Sequence, residues 1–191
     1  ELCFIIDPVD GTWNFAKGMP LFGTIIAVAR FGQPVLGLIY DPVGDDLIVT
    51  DNTSPSVWQA RTGRQRAINT AAAKPLDQLA GYLHIRLMPP ADRALMWSKV
   101  GVLAYVGTLR CSAHEYRLLA TGATDFVLSG HLNCWDHAAG VLLCQQAGGK
   151  AAMLDGTPYN ASMTSGYLLS ASSDAVWDAV ATHFSDLVAD V

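Results

Sequence analysis

The sequence predicts a mixed α/β fold, α/β with α+β character, in two subdomains that meet near residue 70. Residues 1–70 carry short apolar runs separated by turn residues, which is typical of an antiparallel sheet. Residues 71–191 alternate strand and helix patterns, which is typical of an α/β layer. An apolar fraction of 51% in 191 residues is sufficient for a large core. We therefore expect an N-terminal antiparallel-sheet subdomain at 1–70 and a C-terminal α/β subdomain at 71–191.

The strands of the first part follow from apolar and β-branched runs. Residues 2–6 form an uninterrupted apolar run, which indicates a buried strand. Residues 22–31 are rich in β-branched side chains, and a turn at 32–34 separates them from the next strand. The predicted strands are 2–6, 22–31, 35–40 and 47–50, with two shorter ones at 56–60 and 66–70.

The helices of the second part follow from capping signals and periodicity. Ser112 and Glu115 have the spacing of a capping box at the start of one helix. Another helix begins at Asp136 and ends at Gly148 and Gly149, and it is apolar on nearly every face, so we expect it to be buried. The predicted helices are 90–99, 112–121, 136–147 and 173–188, and the predicted strands are 81–85, 100–106, 125–128 and 166–171.

Charge and cysteine content narrow the range of functions. The formal net charge is −5 and the 12 Lys and Arg residues are scattered, so we expect no nucleic-acid polymer as a partner. Cys3, Cys111, Cys134 and Cys144 form no CxxC pair, which predicts reduced, mostly buried thiols in a cytoplasmic protein. No apolar stretch is long enough to span a membrane, so we expect no membrane partner and no signal peptide.

The stretch DPVDGTWNF, which begins at Asp7, is the most informative part of the chain. Asp7 and Asp10 leave the end of the first strand three residues apart, and Pro8 stiffens the turn between them. Gly11 allows close approach of the backbone to a ligand, and Thr12 adds a hydroxyl where a short helix begins. Two carboxylates, a stiff turn and free N–H groups suit a hard cation and a phosphate. The alternative is that Asp-Pro and Asp-Gly simply mark a turn.

A third carboxylate, Asp136, stands at the predicted start of the buried helix. Taken alone it suits a helix cap, because the helix dipole favours a carboxylate at that position. If Asp7, Asp10 and Asp136 converge, their mutual repulsion in a partly buried cleft requires a cation. Oxygen ligands favour Mg²⁺, Mn²⁺ or Ca²⁺ over zinc, and Mg²⁺ pairs with substrate phosphates. His137 follows directly and is interpreted as a supporting or surface histidine.

The stretch DPVDGTWNF resembles the first signature of the inositol monophosphatase family, whose members are Mg²⁺-dependent and typically lithium-sensitive phosphatases. Residues 134–140 (CWDHAAG) resemble the second signature, and 146–149 (QAGG) follow it as the family pattern does. The resemblance implies the layered αβαβα sugar-phosphatase fold in two subdomains. It also implies two helices and a β-hairpin before the first signature, with a Glu that binds metal and helps to activate water. Glu1 does not match that Glu, so we expect this chain to lack the N-terminal helices and hairpin.

The same resemblance implies roles for individual residues. The Asp7, Asp10 and Asp136 carboxylates and the Val9 carbonyl would bind two or more Mg²⁺ ions, with Mn²⁺ as the alternative ion. The N–H groups of Gly11 and Thr12 would hold the phosphate, and the Thr12 hydroxyl would orient the attacking water. The implied catalytic residues are Asp7, Asp10, Thr12 and Asp136, and the implied substrate- and phosphate-binding residues are Asp10, Gly11, Thr12, Ser112, Ser129 and Asp136.

Ser129 departs from the family pattern. It stands seven residues before Asp136, where inositol-specific members often carry a Glu that binds sugar hydroxyls. A serine is shorter and neutral, which argues against inositol as the substrate. Arg110 and Ser112 fall where the family often lines the substrate pocket, although Ser112 is interpreted mainly as the helix cap.

The implied function is Mg²⁺-dependent hydrolysis of a small phosphorylated alcohol by direct attack of water, in a homodimer. Three alternatives on the same fold are a 3′(2′),5′-bisphosphate nucleotidase, a histidinol phosphatase and a sugar bisphosphatase. A fourth alternative is a truncated metal-binding protein with little catalysis, which a missing N-terminal Glu would explain.

Overall fold

The computed structural model describes residues 1–188 and confirms a mixed α/β fold, with two sheets and five α-helices in that range. The strands are β1 (Leu2–Asp10), β2 (Gly23–Arg30), β3 (Gln33–Asp41), β4 (Asp46–Asp51), β5 (Val57–Ala60), β6 (Gln65–Ala67), β7 (Ala80–Leu83), β8 (Tyr105–Gly107), β9 (Phe126–Ser129), β10 (Lys150–Met153) and β11 (Leu168–Ala171). The helices are α1 (Thr12–Ala16), α2 (Arg93–Lys99), α3 (Ser112–Ala120), α4 (Cys134–Gln146) and α5 (Asp174–His183).

The first sheet is an antiparallel meander in which β1 to β6 lie in chain order. Its strands alternate in burial, as Ile25 and Ala27 of β2 illustrate, because successive side chains point to opposite faces. The buried face packs against α3 and α4, and the shared core includes Ile39, Tyr116 and Leu143. Helices from the second part of the chain therefore cover the sheet of the first part, and the division near residue 70 stays a prediction.

The outer face of the first strand is exposed, so the prediction that this apolar run is a buried strand is wrong. Leu2, Phe4 and Ile6 are 53%, 70% and 56% exposed, whereas Ile5 on the opposite face is 9% exposed. The physical reason is that β1 is an edge strand of the described chain and only one of its faces meets the helices. Cys3 is exposed as well, against the expectation from its apolar neighbours.

The second sheet is mixed, with the strand order β10-β11-β9-β7-β8. β7 pairs in parallel with β8 and β9, whereas β11 is antiparallel to both of its neighbours. α5 packs on this sheet around Phe126, Leu169, Val180 and Phe184. β9 continues through residues 130–133 into α4, which connects this sheet to the candidate site.

α4 is buried over most of its 13 residues, as its apolar sequence predicts. It contacts strands of both sheets and is the element that joins the two layers. It begins at Cys134 rather than at Asp136, and it ends at Gln146, just before the predicted glycines. Within residues 1–188, no helix combines the length and the apolar character that a bilayer crossing requires.

Several element boundaries differ from the predictions. Residues 100–106 do not form one strand, because a single 3₁₀ turn at Val100–Val102 precedes β8. The helix predicted at 173–188 stops at His183 and is followed by a 3₁₀ turn at Ser185–Leu187. Apolar periodicity alone does not fix the type or the end of a short element, which explains both differences. Helix 90–99 likewise starts only at Arg93, strand 81–85 ends at Leu83, and strand 66–70 is reduced to Gln65–Ala67.

Candidate metal and phosphate site

The three carboxylates singled out in the sequence line one cleft with a volume of about 480 Å³. The cleft lies where the end of β1, the first turn of α1, the start of α3 and the first turn of α4 meet. The loop after β7 and the end of β9 complete its wall. Segments that are far apart in the chain therefore converge on the motif that begins at Asp7.

An irregularity at the end of β1 directs Asp7 and Asp10 to the same cleft. The two residues remain in the strand instead of leaving it, and the pairing with β2 shifts register between them. In a regular strand, residues three apart point to opposite faces, so the shift is what allows both carboxylates to face the cleft. Asp7 also accepts a hydrogen bond from the N–H of Val9 at 3.0 Å, which fixes its side chain.

The turn after β1 requires glycine at position 11. Gly11 has a φ of +79°, and a Cβ there would lie 2.8 Å from the Leu21 carbonyl oxygen. The short helix α1 starts directly afterwards, as predicted. Asn14 on α1 is buried, and its side-chain amide donates to the carbonyls of Leu21 and Leu109 at 2.8 Å each. The turn after β1 is thereby attached to the loop before α3.

Asp136 lies in the first turn of α4 and does not cap the helix, so the alternative interpretation as a helix cap does not hold and the predicted helix start at Asp136 is wrong. The helix begins two residues earlier, and the capping position belongs to Asn133. The Asn133 amide donates to Asp136 Oδ2 at 3.1 Å and holds the carboxylate near the cleft. Because Asp136 is not occupied in capping, its carboxylate is available to the cleft.

The structure brings Asp7, Asp10 and Asp136 together. One carboxylate oxygen of each residue lies within 4.8 Å of those of the other two, so the three could hold a metal ion. Burial and the nearby Asp136 charge raise the pKa of Asp7, and burial with the neighbouring carboxylates raises the pKa of Asp10 to about 6. Each pair of like charges at this separation repels by on the order of 3 kcal/mol. An all-oxygen, mutually repelling donor set fits a hard divalent cation.

Asp10 is held by α3 through contacts that the sequence did not predict. Its Oδ2 accepts hydrogen bonds from the N–H of Ala113 at 2.6 Å and from the thiol of Cys111 at 3.1 Å. Burial raises the pKa of the Cys111 thiol, so Cys111 acts as a neutral donor. These two donors fix one oxygen of Asp10 and leave the other free to face a cation.

Glu115 does not form the predicted capping box with Ser112. α3 has Cys111 at its capping position without a side-chain cap, and Glu115 turns into the wall of the cleft, where it is 7% exposed. Its Oε1 accepts hydrogen bonds from the Leu109 N–H at 2.7 Å and the Thr108 hydroxyl at 3.2 Å. Burial raises the pKa of Glu115 to about 7. Glu115 therefore holds the loop before α3 in place instead of starting the helix.

The other residues implied as site residues also line the cleft. Val9, Gly11 and Thr12 border it on the motif side, and Ser112 and Ser129 border it elsewhere. Ser129 Oγ accepts from the His131 N–H at 3.3 Å and donates to the His131 carbonyl at 3.1 Å. The Ser112 hydroxyl is free of the predicted capping bond. The roles of these five residues toward metal, phosphate and alcohol stay predictions.

His137 is a buried supporting residue of the site and not a surface histidine. It is buried, with Nδ1 3.1 Å from the Tyr116 hydroxyl and Nε2 2.8 Å from the His131 carbonyl. A carbonyl only accepts hydrogen bonds, so Nε2 carries the proton and Nδ1 accepts from Tyr116. Burial lowers the pKa of His137, which favours this neutral form. The residue anchors the loop between β9 and α4.

Two cleft residues carry no signal in the sequence. His84 follows β7 and His131 follows β9, and neither belongs to a recognisable motif. Arg110, which the family pattern places at the substrate pocket, lines the cleft next to them. Its guanidinium lies 4.0 Å above the centre of the Trp13 ring. Only the folding of three distant segments brings these side chains into one wall.

Sequence comparisons agree with this geometry. The family model described as "Inositol monophosphatase family" matches residues 1–188. An inositol-1-monophosphatase from Mesorhizobium japonicum is 34% identical over 157 residues, which cover 80% of this chain and 57% of that protein. The Nus factor SuhB from Pasteurella multocida is 29% identical over 175 residues, which cover 90% of this chain and 63% of that protein. The chain thus spans less than two thirds of the length of either relative.

Structural comparison leads to the same group of proteins. The solved structure of an inositol monophosphatase from an Anabaena (Nostoc) species matches with a TM-score of 0.85 and 26% sequence identity. The match covers 97% of this chain and 75% of the other one.

Proposed function

This chain belongs to the inositol monophosphatase family, and on that basis we propose that it hydrolyses a small phosphate monoester in a Mg²⁺-dependent reaction. The observation that carries the proposal is the convergence of Asp7, Asp10 and Asp136 within 4.8 Å in one cleft. Three carboxylates this close in a partly buried cleft, with the pKa values of Asp7 and Asp10 raised, are poorly suited to a purely structural role. They are well suited to a divalent cation and an anionic substrate.

The carboxylates of Asp7, Asp10 and Asp136, with the carbonyl of Val9, would hold two or more Mg²⁺ ions, or Mn²⁺ in their place. When bound, the cations would lower the pKa of a water molecule and neutralise charge on the ester phosphate and the leaving alcohol. Asp10 is fixed for this purpose by its bonds to Ala113 and Cys111. Its position on a rigid strand end favours a defined ligand geometry.

The residues after β1 would handle the phosphate and the attacking water. Gly11 and Thr12 line the cleft at the turn after β1, and their backbone N–H groups would hold phosphate oxygens. The Thr12 hydroxyl would orient the water for attack in line with the leaving alcohol. Ser112 and Ser129 would contact the alcohol part, and both are neutral groups with one hydroxyl each.

The test of this proposal is phosphate release by the purified chain with Mg²⁺, and with EDTA as the control. Inositol 1-phosphate, adenosine 3′,5′-bisphosphate and histidinol phosphate represent the neutral, anionic and cationic alcohols of the family alternatives. We expect turnover of at least one ester that EDTA abolishes and that Li⁺ inhibits. Absence of turnover for all three, in a chain that binds Mg²⁺, would favour the metal-binding protein with little catalysis.

A further inference from the structure

Part of the cleft wall carries basic side chains. It is formed by Arg110, His84 and His131, which we call the cationic wall. The pKa of His84 is lowered by burial and by the charges of Arg110 and His131, so both of these side chains lie near His84. The pKa values of Asp7 and Asp10, in contrast, respond to their neighbouring carboxylates. The charges that shift each of these pKa values therefore come from groups of the same sign, and the cleft wall holds basic side chains as well as carboxylates.

Arg110 is built into this position by its backbone. Its φ is +55°, in the left-handed region that few non-glycine residues occupy. The backbone next to it is held in place, because buried Glu115 accepts from the Leu109 N–H and buried Asn14 donates to the Leu109 carbonyl. The Arg110 N–H also donates to the Thr108 hydroxyl at 3.1 Å. Strained backbone that is held by buried polar groups is typical of functional sites.

The Arg110 side chain is positioned but not neutralised. Its guanidinium stacks on Trp13 at 4.0 Å, which limits its rotamers and leaves the donor edge free. None of the ion pairs found between residues 1–188 involves Arg110. Glu115, an acidic residue of the cleft wall, already binds the backbone of the loop before α3. Ser129 adds a neutral hydroxyl to the cleft wall.

We propose that the cationic wall binds a second anionic group on the alcohol part of the substrate. This inference rests on the proposed function, because the ester phosphate is assigned to the carboxylate side with its cations. A planar guanidinium with free donors recognises phosphate or carboxylate in a bidentate manner, and the two imidazoles add further donors. Preferred substrates are then phosphate monoesters that carry another phosphate or a carboxylate.

The cationic wall favours some of the alternative substrates over others. A neutral ring such as that of inositol 1-phosphate gives the cationic wall nothing to pair with, and Ser129 offers no carboxylate for its hydroxyls. The amine of histidinol phosphate would be repelled by Arg110. An ester with a second phosphate or a carboxylate satisfies both regions of the cleft at once.

The experiment compares matched ligands with and without the second anion. Adenosine 3′,5′-bisphosphate and adenosine 3′-monophosphate differ only in the 5′-phosphate, and phosphoglycolate and 2-hydroxyethyl phosphate differ in a carboxylate. Binding with Mg²⁺ is measured by calorimetry, and kcat/KM by phosphate release. We expect the doubly anionic member of at least one pair to bind about tenfold more tightly, with the pair that shows the preference identifying the anion.

Arg110→Ala should lower affinity and kcat/KM for the doubly anionic ligand about tenfold more than for its partner, mainly through KM, and Arg110→Lys should restore part of the loss. Arg30 is an exposed arginine outside the cleft, so Arg30→Ala is the matched control. It should leave affinity and kcat/KM unchanged for both members of each pair. Equal binding of both members of each pair, or an equal effect of Arg110→Ala on both, would overturn the inference. Selective binding of the doubly anionic ligand without hydrolysis would support the role of the cationic wall. That result would count against the proposed phosphatase function only.

Discussion

Asp10 concentrates the physical features of the site in one side chain. It is buried beside two other carboxylates, and one of its oxygens is fixed by Ala113 and Cys111. Burial raises its pKa to about 6, so without a cation the group is partly protonated near neutral pH. A bound divalent cation would favour the ionised form of Asp10, so cation binding should stabilise the folded chain. Cation affinity should weaken below about pH 6, where Asp10 becomes protonated.

Mg²⁺ should raise the melting temperature of this chain, and Asp136→Asn should abolish the shift. At 100 times the dissociation constant the expected stabilisation is about 2.7 kcal/mol, measured by thermal unfolding with Mg²⁺ against EDTA. In EDTA the variant should be at least as stable as the parent, since one repelling charge is gone. Asp77→Asn, an exposed aspartate outside the cleft, should keep the full shift. An Asp136→Asn protein with an unchanged Mg²⁺ shift would contradict the assignment of this ligand.

Glu115 should make the stability of the metal-free chain fall as pH rises from about 4.5 to about 7. The folded-state pKa is about 7 and the ordinary value is 4.5, so in this interval the folded chain keeps a proton that the unfolded chain releases. Glu115→Gln keeps an acceptor for Leu109 and should remove on the order of 3 kcal/mol of this decrease. Urea unfolding across that pH range, in EDTA, measures the difference. Equal decreases in the two proteins would mean that Glu115 does not titrate as described.

At the residue scale, site residues that belong to a motif can be identified from the sequence. Residues that only folding brings to the site cannot. Asp7, Asp10 and Asp136 could be identified because two motifs carry them. Cys111 could not be linked to Asp10, because their contact joins residues 101 positions apart. His84, which has no motif, is a similar case. The capping-box prediction for Glu115 is wrong because the sequence pattern is local. The hydrogen-bond partners of Glu115 lie in the preceding loop instead.

At the scale of elements, α4 sets the position of Asp136 and relies on close packing against α3. Its burial could be predicted from a sequence that is apolar on all faces. The exposed outer face of β1 could not, because an uninterrupted apolar run is the same whether one or both faces of a strand are covered. Which face remains open depends on the sheet order, and the local sequence does not carry that order.

Gly140→Ala should destabilise the chain although alanine is the better helix former. A Cβ at Gly140 would lie 2.2 Å from ring carbons of Tyr116, whose hydroxyl holds His137. Overpacking should lower the free energy of unfolding by about 1–3 kcal/mol and helix propensity should raise it by about 1 kcal/mol, so with contacts this short we expect a net loss of on the order of 1–2 kcal/mol. Urea denaturation measures it, with Gly101→Ala as the control because no atom lies within 4 Å of that Cβ. A stabilised Gly140→Ala protein would show that this helix contact is looser than described.

At the scale of the whole molecule, the described chain presents an apolar face next to an open sheet edge. Leu2, Phe4 and Ile6 are exposed on β1, and their neighbours Ile26 and Val28 on β2 continue the surface. Contiguous exposed apolar surface favours association, and an unpaired edge strand adds a template for it. We propose that copies of this 191-residue chain self-associate through this face.

The double variant Phe4→Thr, Ile6→Thr should shift the chain toward the monomer, because threonine keeps strand propensity and removes apolar surface. Light scattering over a range of concentrations measures the change. Trp97→Gln removes an exposed aromatic from α2, away from the sheet, and should leave the association unchanged. A parent chain that is monomeric at every concentration would refute the self-association.

The most direct test of the central claim is the Mg²⁺ dependence of phosphate release by the parent chain and by Asp7→Asn and Asp136→Asn, with Asp77→Asn as the control. We expect release that saturates with Mg²⁺, stops in EDTA, and falls about 100-fold or more in both cleft variants, since several kcal/mol of transition-state stabilisation depend on the cation. Release that persists in EDTA, or that survives in both cleft variants, would contradict a metal-dependent phosphatase site formed by these carboxylates.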